Sequence, residues 1–163
     1  MNVPQPPVTV RPASSDDAER LALIWRESMD TLTRLDPRVQ VAPDGTDRWR
    51  EAFLIELRRA DRHTIIALRG THMVAAMTGA IVANAPGLLP ERIGAVVMLI
   101  VEAHGQGGGI GTAMFTALSS WFAANAITVI SVEVPTREPI AQAFWRALGA
   151  SETAHKLSVR LRV

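Results

Sequence analysis

The chain of 163 residues contains no cysteine, no tyrosine and a single lysine, Lys156. Without cysteine there can be no disulfide staples, no thiolate zinc sites and no acyl transfer through a cysteine nucleophile. A reducing compartment fits this usage. The lone lysine follows no glycine-rich turn, which excludes a P-loop, where the nucleotide lysine must stand directly after one. Long apolar runs are missing too. The longest, residues 95–101, falls far short of the about 20 residues that span a bilayer. Residues 1–7, with three prolines, lack both the basic and the apolar segment of a leader. These features predict an unanchored, cytoplasmic protein. Neither sign of charge dominates: 17 basic residues stand against 16 acidic, a net charge of +1. A nucleic-acid surface, which needs a concentrated basic face, is therefore not expected. The four histidines, at 63, 72, 104 and 155, are scattered without ligand spacing, and no metal is predicted.

What remains is a chain with 48% hydrophobic and 20% charged residues, the composition of a soluble globule. Its length suits one domain. We expect a short tail over 1–7 and a single domain over 8–163. Val8-Thr-Val-Arg11 reads as a first strand. Leu21, Trp25, Met29 and Leu32 recur at helical spacing after a start at Ser14-Ser15-Asp16-Asp17. Residues 34–46, with Pro37, Pro43 and Asp44-Gly45, read as a loop, and 47–60 as a second helix carrying Trp49, Phe53 and Leu57. Two strands, 63–69 and 72–82, are joined by a tight Gly70-Thr71 hairpin. Residues 92–101 form a strand apolar at nearly every position, as when both faces are covered. A helix then runs to Asn125, followed by a strand over 127–134, a helix over 139–148 and a last strand over 155–163, where Leu157, Val159 and Leu161 alternate. The order is β-α-α-β-β-β-α-β-α-β, an α/β fold. Trp25, Trp49 and Trp121 fall on helical stripes and read as packing residues.

Between the apolar strand and its helix lies Gly105-Gln-Gly-Gly-Gly-Ile-Gly111. Glycines there let backbone approach a ligand, and the first N–H groups of the helix point out unpaired, so the segment reads as an anion cradle. The dinucleotide spacing G-x-G-x-x-G fails in every register: counted from Gly105 the sixth residue is Ile110, and from Gly107 it is Thr112. What is present is Q/R-x-x-G-x-G/A, from Gln106 to Gly111.

With this motif, and with Val132-Glu-Val134 followed by Ala141-x-x-Phe144-Trp145-x-x-Leu148-Gly149-Ala150, the chain resembles the GNAT superfamily of acyl-CoA-dependent N-acetyltransferases over roughly residues 8–163. The resemblance implies a mixed, mostly antiparallel central sheet flanked by helices, with acetyl-CoA as co-substrate. It implies that Gln106, Gly107, Gly108, Gly109, Ile110, Gly111 and Thr112 hold the pyrophosphate, and that backbone at Leu99 and Val101 pairs with the pantetheine. The acceptor would enter beside residues 29–46, where Asp30, Arg34, Asp36, Arg38 and Asp44 mix both signs. Their mixture does not choose between a small-molecule amine and a protein amine.

Transfer to an amine needs a proton acceptor. Glu133 is the candidate, as a carboxylate inside an otherwise apolar strand, where it would be costly without a purpose. N-terminal alanine acetyltransferases of ribosomal proteins carry a similar glutamate twelve residues before the helix tyrosine. Glu102, just after the fourth strand, is the second candidate. Two positions depart from the family. Trp145 stands where a tyrosine usually acts as the acid, and Glu138 where an asparagine is common. The departures leave open an acyl-CoA-binding sensor or interaction module without turnover; an unrelated phosphate-binding α/β protein is a third reading. His104 is read as exposed. The terminal strand over 156–163 could offer an edge for a homodimer.

Overall fold

The computed structural model of the protein describes residues 6–105, 107–159 and 161. Their contacts fall into two compact units, the first ending at Glu133 and the second beginning at Val134.

In the first unit, β1 (Val8–Pro12) leads through a short 3-10 turn into α1 (Ala18–Leu35). The corner is fixed by Asp17, which is buried. Its carboxylate accepts two hydrogen bonds of 2.8 Å from the Arg11 guanidinium and one of 2.7 Å from the Ser14 N–H. The bond from Arg11 outweighs the cost of burial and holds Asp17 below the usual carboxylate range. On α1, Leu21 and Ile24 are wholly buried. The ring of Trp25 stacks on Trp49 of α2 (Gly45–Glu56) at 5.7 Å, and Trp49 on Phe53 at 5.3 Å. These tryptophans pack against the core, as their spacing predicts.

β2 (Arg62–Arg69) and β3 (His72–Ala83) form an antiparallel hairpin that closes at the pair Arg69↔His72. β4 (Arg92–Val101) runs antiparallel to β3 over the span read from the sequence. α3 (Ile110–Ala124) then crosses over to β5 (Ile130–Val132), which is parallel to β4. The sheet order is β1-β2-β3-β4-β5, antiparallel except for its last pair. This is the mixed, helix-flanked sheet that the resemblance implies.

The two faces of the sheet carry different helices. Ile66, Met73, Ala76 and Ile100 pack with Leu21, Ile24 and Phe53 in the core beneath α1 and α2. α3 covers the other face closely, because Gly79 and Gly94 have no side chains there. A Cβ at Gly94 would lie 2.7 Å from Phe122 Cε1, and one at Gly79 2.8 Å from Leu118 Cδ1. A bulge in β4 governs which residues face which helix. Thr78 pairs with Met98 but Gly79 with Val96, so Val97 has no opposite residue. One extra residue reverses the alternation of a strand. Gly94 therefore faces α3, while Met98 and Ile100 face the core beneath α1.

Two expectations are corrected. The fifth strand is not 127–134 but Ile130–Val132, because β4 bends at its bulge and its pairing with β5 stops at Val96↔Val132. Glu133 thus lies just past the strand and is exposed, not inside an apolar strand. Nor does a last strand form over the described part of 155–163: residues 155–159 and 161 have no regular structure, and Leu157, Val159 and Leu161 are 91%, 83% and 78% exposed. Alternation makes a strand only when an edge pairs with it, and among the described residues none does. The edge expected for a homodimer is absent at those residues. Residues 160, 162 and 163 lie outside the described residues.

In the second unit, α4 (Pro139–Ala147) begins with proline at its first position. It ends at Gly149, whose φ of +90° allows the Ala150 N–H to return to the Trp145 carbonyl at 3.0 Å. Trp145 is 5% exposed, with Phe144 against its edge at 4.9 Å. Among the described residues no helix is long and apolar enough to cross a membrane.

Candidate functional site

The bulge divides β4 into unlike halves. Residues 94–96 are paired on both sides, by β3 and by β5. Residues 98–101 are paired with β3 alone, and among the described residues no strand meets their other edge. That edge, which includes Leu99 and Val101, can pair with an extended, amide-bearing molecule.

Directly beyond it the chain enters the glycine loop. Gly107, Gly108 and Gly109 lie at φ +92°, +64° and +76°, three successive left-handed residues that few side chains tolerate. A Cβ at Gly107 or Gly109 would meet nothing within 4 Å, so both positions border open space. Gly109 caps α3, and the first helical bond runs from Ala113 to the Gly109 carbonyl at 2.9 Å. The N–H groups of Ile110, Gly111 and Thr112 precede that bond and carry the positive end of the helix dipole. A cradle lined by such groups suits phosphate oxygens. Gln106 lies outside the described residues.

Glu102 continues the ladder beyond β4, its N–H donating to the Val74 carbonyl at 2.8 Å. Its partly buried carboxylate receives a hydrogen bond from Arg20 on α1. The His72 Nε2 lies 2.9 Å and 3.0 Å from its two oxygens. Burial pushes this carboxyl up, but the bonds from His72 and Arg20 outweigh it and hold it below the usual range. Glu133 stands one residue past the last β4–β5 pair, where the two strands separate. His104 is exposed. Glu138 and Trp145 belong to the second unit, and burial pushes the Glu138 carboxyl up.

Residues around 29–46 pair off their own charges. Arg26 meets Asp30 at 3.0 Å, Arg38 meets Asp36 at 2.7 Å and Arg48 meets Asp44 at 2.7 Å. Among the described residues, no group of three or more histidines and carboxylates could hold a metal ion.

Sequence reasoning missed Arg69. It ends β2, and its Nη2 donates to the Gly107 carbonyl at 3.1 Å across 38 positions of sequence. A signal was present: residues 101–112 contain no lysine or arginine, and the Gly70-Thr71 hairpin carries Arg69 to the same end of the sheet as the loop.

A family model described as the Acetyltransferase (GNAT) family matches residues 24–150. No curated protein matches the sequence. Among solved structures, a mutant of the BH1408 protein from Bacillus halodurans is similar with a TM-score of 0.84 and 18% identity, over 94% of this chain and 99% of that one. A predicted acetyltransferase from Clostridium acetobutylicum, solved with acetyl-CoA, is similar with a TM-score of 0.75 and 18% identity, over 94% and 96%. An aminoglycoside antibiotic 6'-N-acetyltransferase from Acinetobacter baumannii gives 0.71 and 17%, over 96% and 99%. At these identities the likenesses show the fold.

Proposed function

The chain belongs to the Acetyltransferase (GNAT) family, and on that premise we propose that it moves an acetyl group from acetyl-CoA to a primary amine in a direct ternary complex. The observation that carries this reading is the unpaired edge of β4 running into three left-handed glycines at the start of α3. Pantetheine is an extended chain of two amides, and its far end carries the pyrophosphate. Backbone at Leu99 and Val101 pairs with the amides, while the loop and the first turn of α3, Gln106 to Thr112, hold the phosphates. A covalent acyl-enzyme on cysteine is impossible in a chain without one.

Amines arrive mostly protonated, α-amino groups titrating near about 8 and lysine near about 10.4. Glu133, at the point where β4 and β5 part, takes the proton as the new C–N bond forms and the C–S bond breaks. Glu102, whose carboxylate accepts bonds from Arg20 and His72, is the second candidate. Coenzyme A leaves as a thiolate, as an alkyl thiol of pKa near about 8.5 can, and water protonates it. The acceptor is an amine of a small molecule or a protein, as with the aminoglycoside acetyltransferase of similar fold. A second reading, an acyl-CoA-binding module without turnover, is favoured by Trp145, a buried indole in a chain without tyrosine.

Calorimetric titration with acetyl-CoA, coenzyme A and a nucleotide, followed by thiol release on a panel of amines, tests both readings. A protein without cysteine gives the thiol reagent no background. Selective acetyl-CoA binding with release on some amine is expected. Binding without release on any amine favours the second reading. Equal binding of nucleotides, or no binding, overturns the acyl-donor site itself.

A further inference from the structure

We propose that Arg69 binds the phosphates of the acyl donor, reaching the glycine loop from the β2–β3 hairpin. The inference rests on the acyl-donor reading of that loop.

The guanidinium lies against the loop's backbone. Besides the bond from Nη2 to the Gly107 carbonyl at 3.1 Å, a Cβ at Gly108 would stand 2.8 Å from the same nitrogen. Gly108 is therefore small where the arginine passes beneath it. Among the described residues, nothing neutralises the charge of Arg69. Its Nε is buried without a hydrogen-bond partner, and among the described residues no carboxylate lies within salt-bridge distance of it. Arg11, Arg20, Arg38, Arg59 and Arg62 each sit beside an acid. A half-buried cation without an anion carries a desolvation cost that an arriving anion offsets.

The loop needs what this residue supplies. Residues 101–112 hold no cationic side chain, and their one acid, Glu102, is engaged by Arg20 and His72. Backbone N–H groups and a helix dipole offer only partial charges, whereas the donor's phosphates carry full ones. A guanidinium presents five donors in a planar fork. With one spent on Gly107, the others remain to meet phosphate oxygens above the loop.

The test compares the wild type with Arg69→Gln and Arg69→Lys by calorimetry, using coenzyme A and 3'-dephospho-coenzyme A. Pantetheine, which has no phosphate, is followed at millimolar concentration by thermal shift. A charge-assisted hydrogen bond is worth roughly ten- to a hundredfold. We expect Arg69→Gln to weaken coenzyme A by at least tenfold, Arg69→Lys by less, and the response to pantetheine to stay unchanged in both. A penalty that persists with the dephospho compound places the contact at the pyrophosphate, and one that disappears places it at the 3'-phosphate. Either supports the proposal. Unchanged affinity for coenzyme A in both variants overturns it, as does an equal loss for coenzyme A and pantetheine, which would make Arg69 a brace for the loop. A wild type that binds no coenzyme A removes the acyl-donor reading and this inference with it.

Discussion

The two halves of β4 are both strand, yet they are paired differently. Residues 92–96 are held by β3 on one side and reach β5 on the other, with Phe122 of α3 pressed against Gly94. Residues 98–101 keep β3 but leave their outer edge unmatched. Hydrophobic side chains make both halves strand. What separates them is pairing, and therefore backbone: the first half spends its hydrogen bonds on the fold, and the second leaves a row of them unmatched by any strand among the described residues.

Substitutions sharpen the contrast in descending order of effect. At the fork itself, Glu133→Gln removes the proposed proton acceptor, and kcat should fall by about 10²-fold or more with acetyl-CoA binding unchanged. Equal kinetics with the same acceptor would exclude Glu133 as the base. In the closed half, Gly94→Leu drives a side chain into Phe122, where even a Cβ would stand at 2.7 Å. Overpacking of this kind costs roughly 1–3 kcal/mol, so the melting temperature should drop by several degrees while activity per folded molecule persists. In the open half the expectation inverts. Gly107→Val puts its branch where nothing lies within 4 Å, so melting should shift by only a few degrees from backbone strain, and affinity for coenzyme A should fall by about tenfold. The smallest effect is one of pH. Glu102 is held below its ordinary range, so its contribution to stability is present above the unfolded value of about 4.3 and is lost as pH falls through the lower folded value. Melting curves of Glu102→Gln should lack that part of the acid-induced loss and start from a lower stability at pH 7.

Much of this was legible in the sequence, and the parts that were not share a cause. The hairpin at Gly70-Thr71, the span of β4 and the glycine cluster declare themselves through spacing alone. The bulge at Val97 does not, because a strand apolar at nearly every position has no alternation to interrupt. The shortness of β5 follows from that bulge and was hidden with it. Leu157, Val159 and Leu161 show the opposite failure, a period of two with no edge to receive it. The meeting of Arg20 with Glu102, and of Arg69 with Gly107, spans 82 and 38 positions. Pairings of that range belong to the folded sheet, not to any local pattern.

Val97 also sets how much this chain tolerates insertion and deletion. Its side chain is 53% exposed, so most replacements there should be silent. Loss of the residue would instead remove the bulge: Met98 and Ile100 would keep their partners Thr78 and Ala76 and their face toward α1, while the regular pleat would be restored, along which β4 and β5 could continue to zip together. The opening beside the glycine loop is thus encoded by a count of residues, and a single in-frame codon deletion would erase it while leaving every recognisable motif in place.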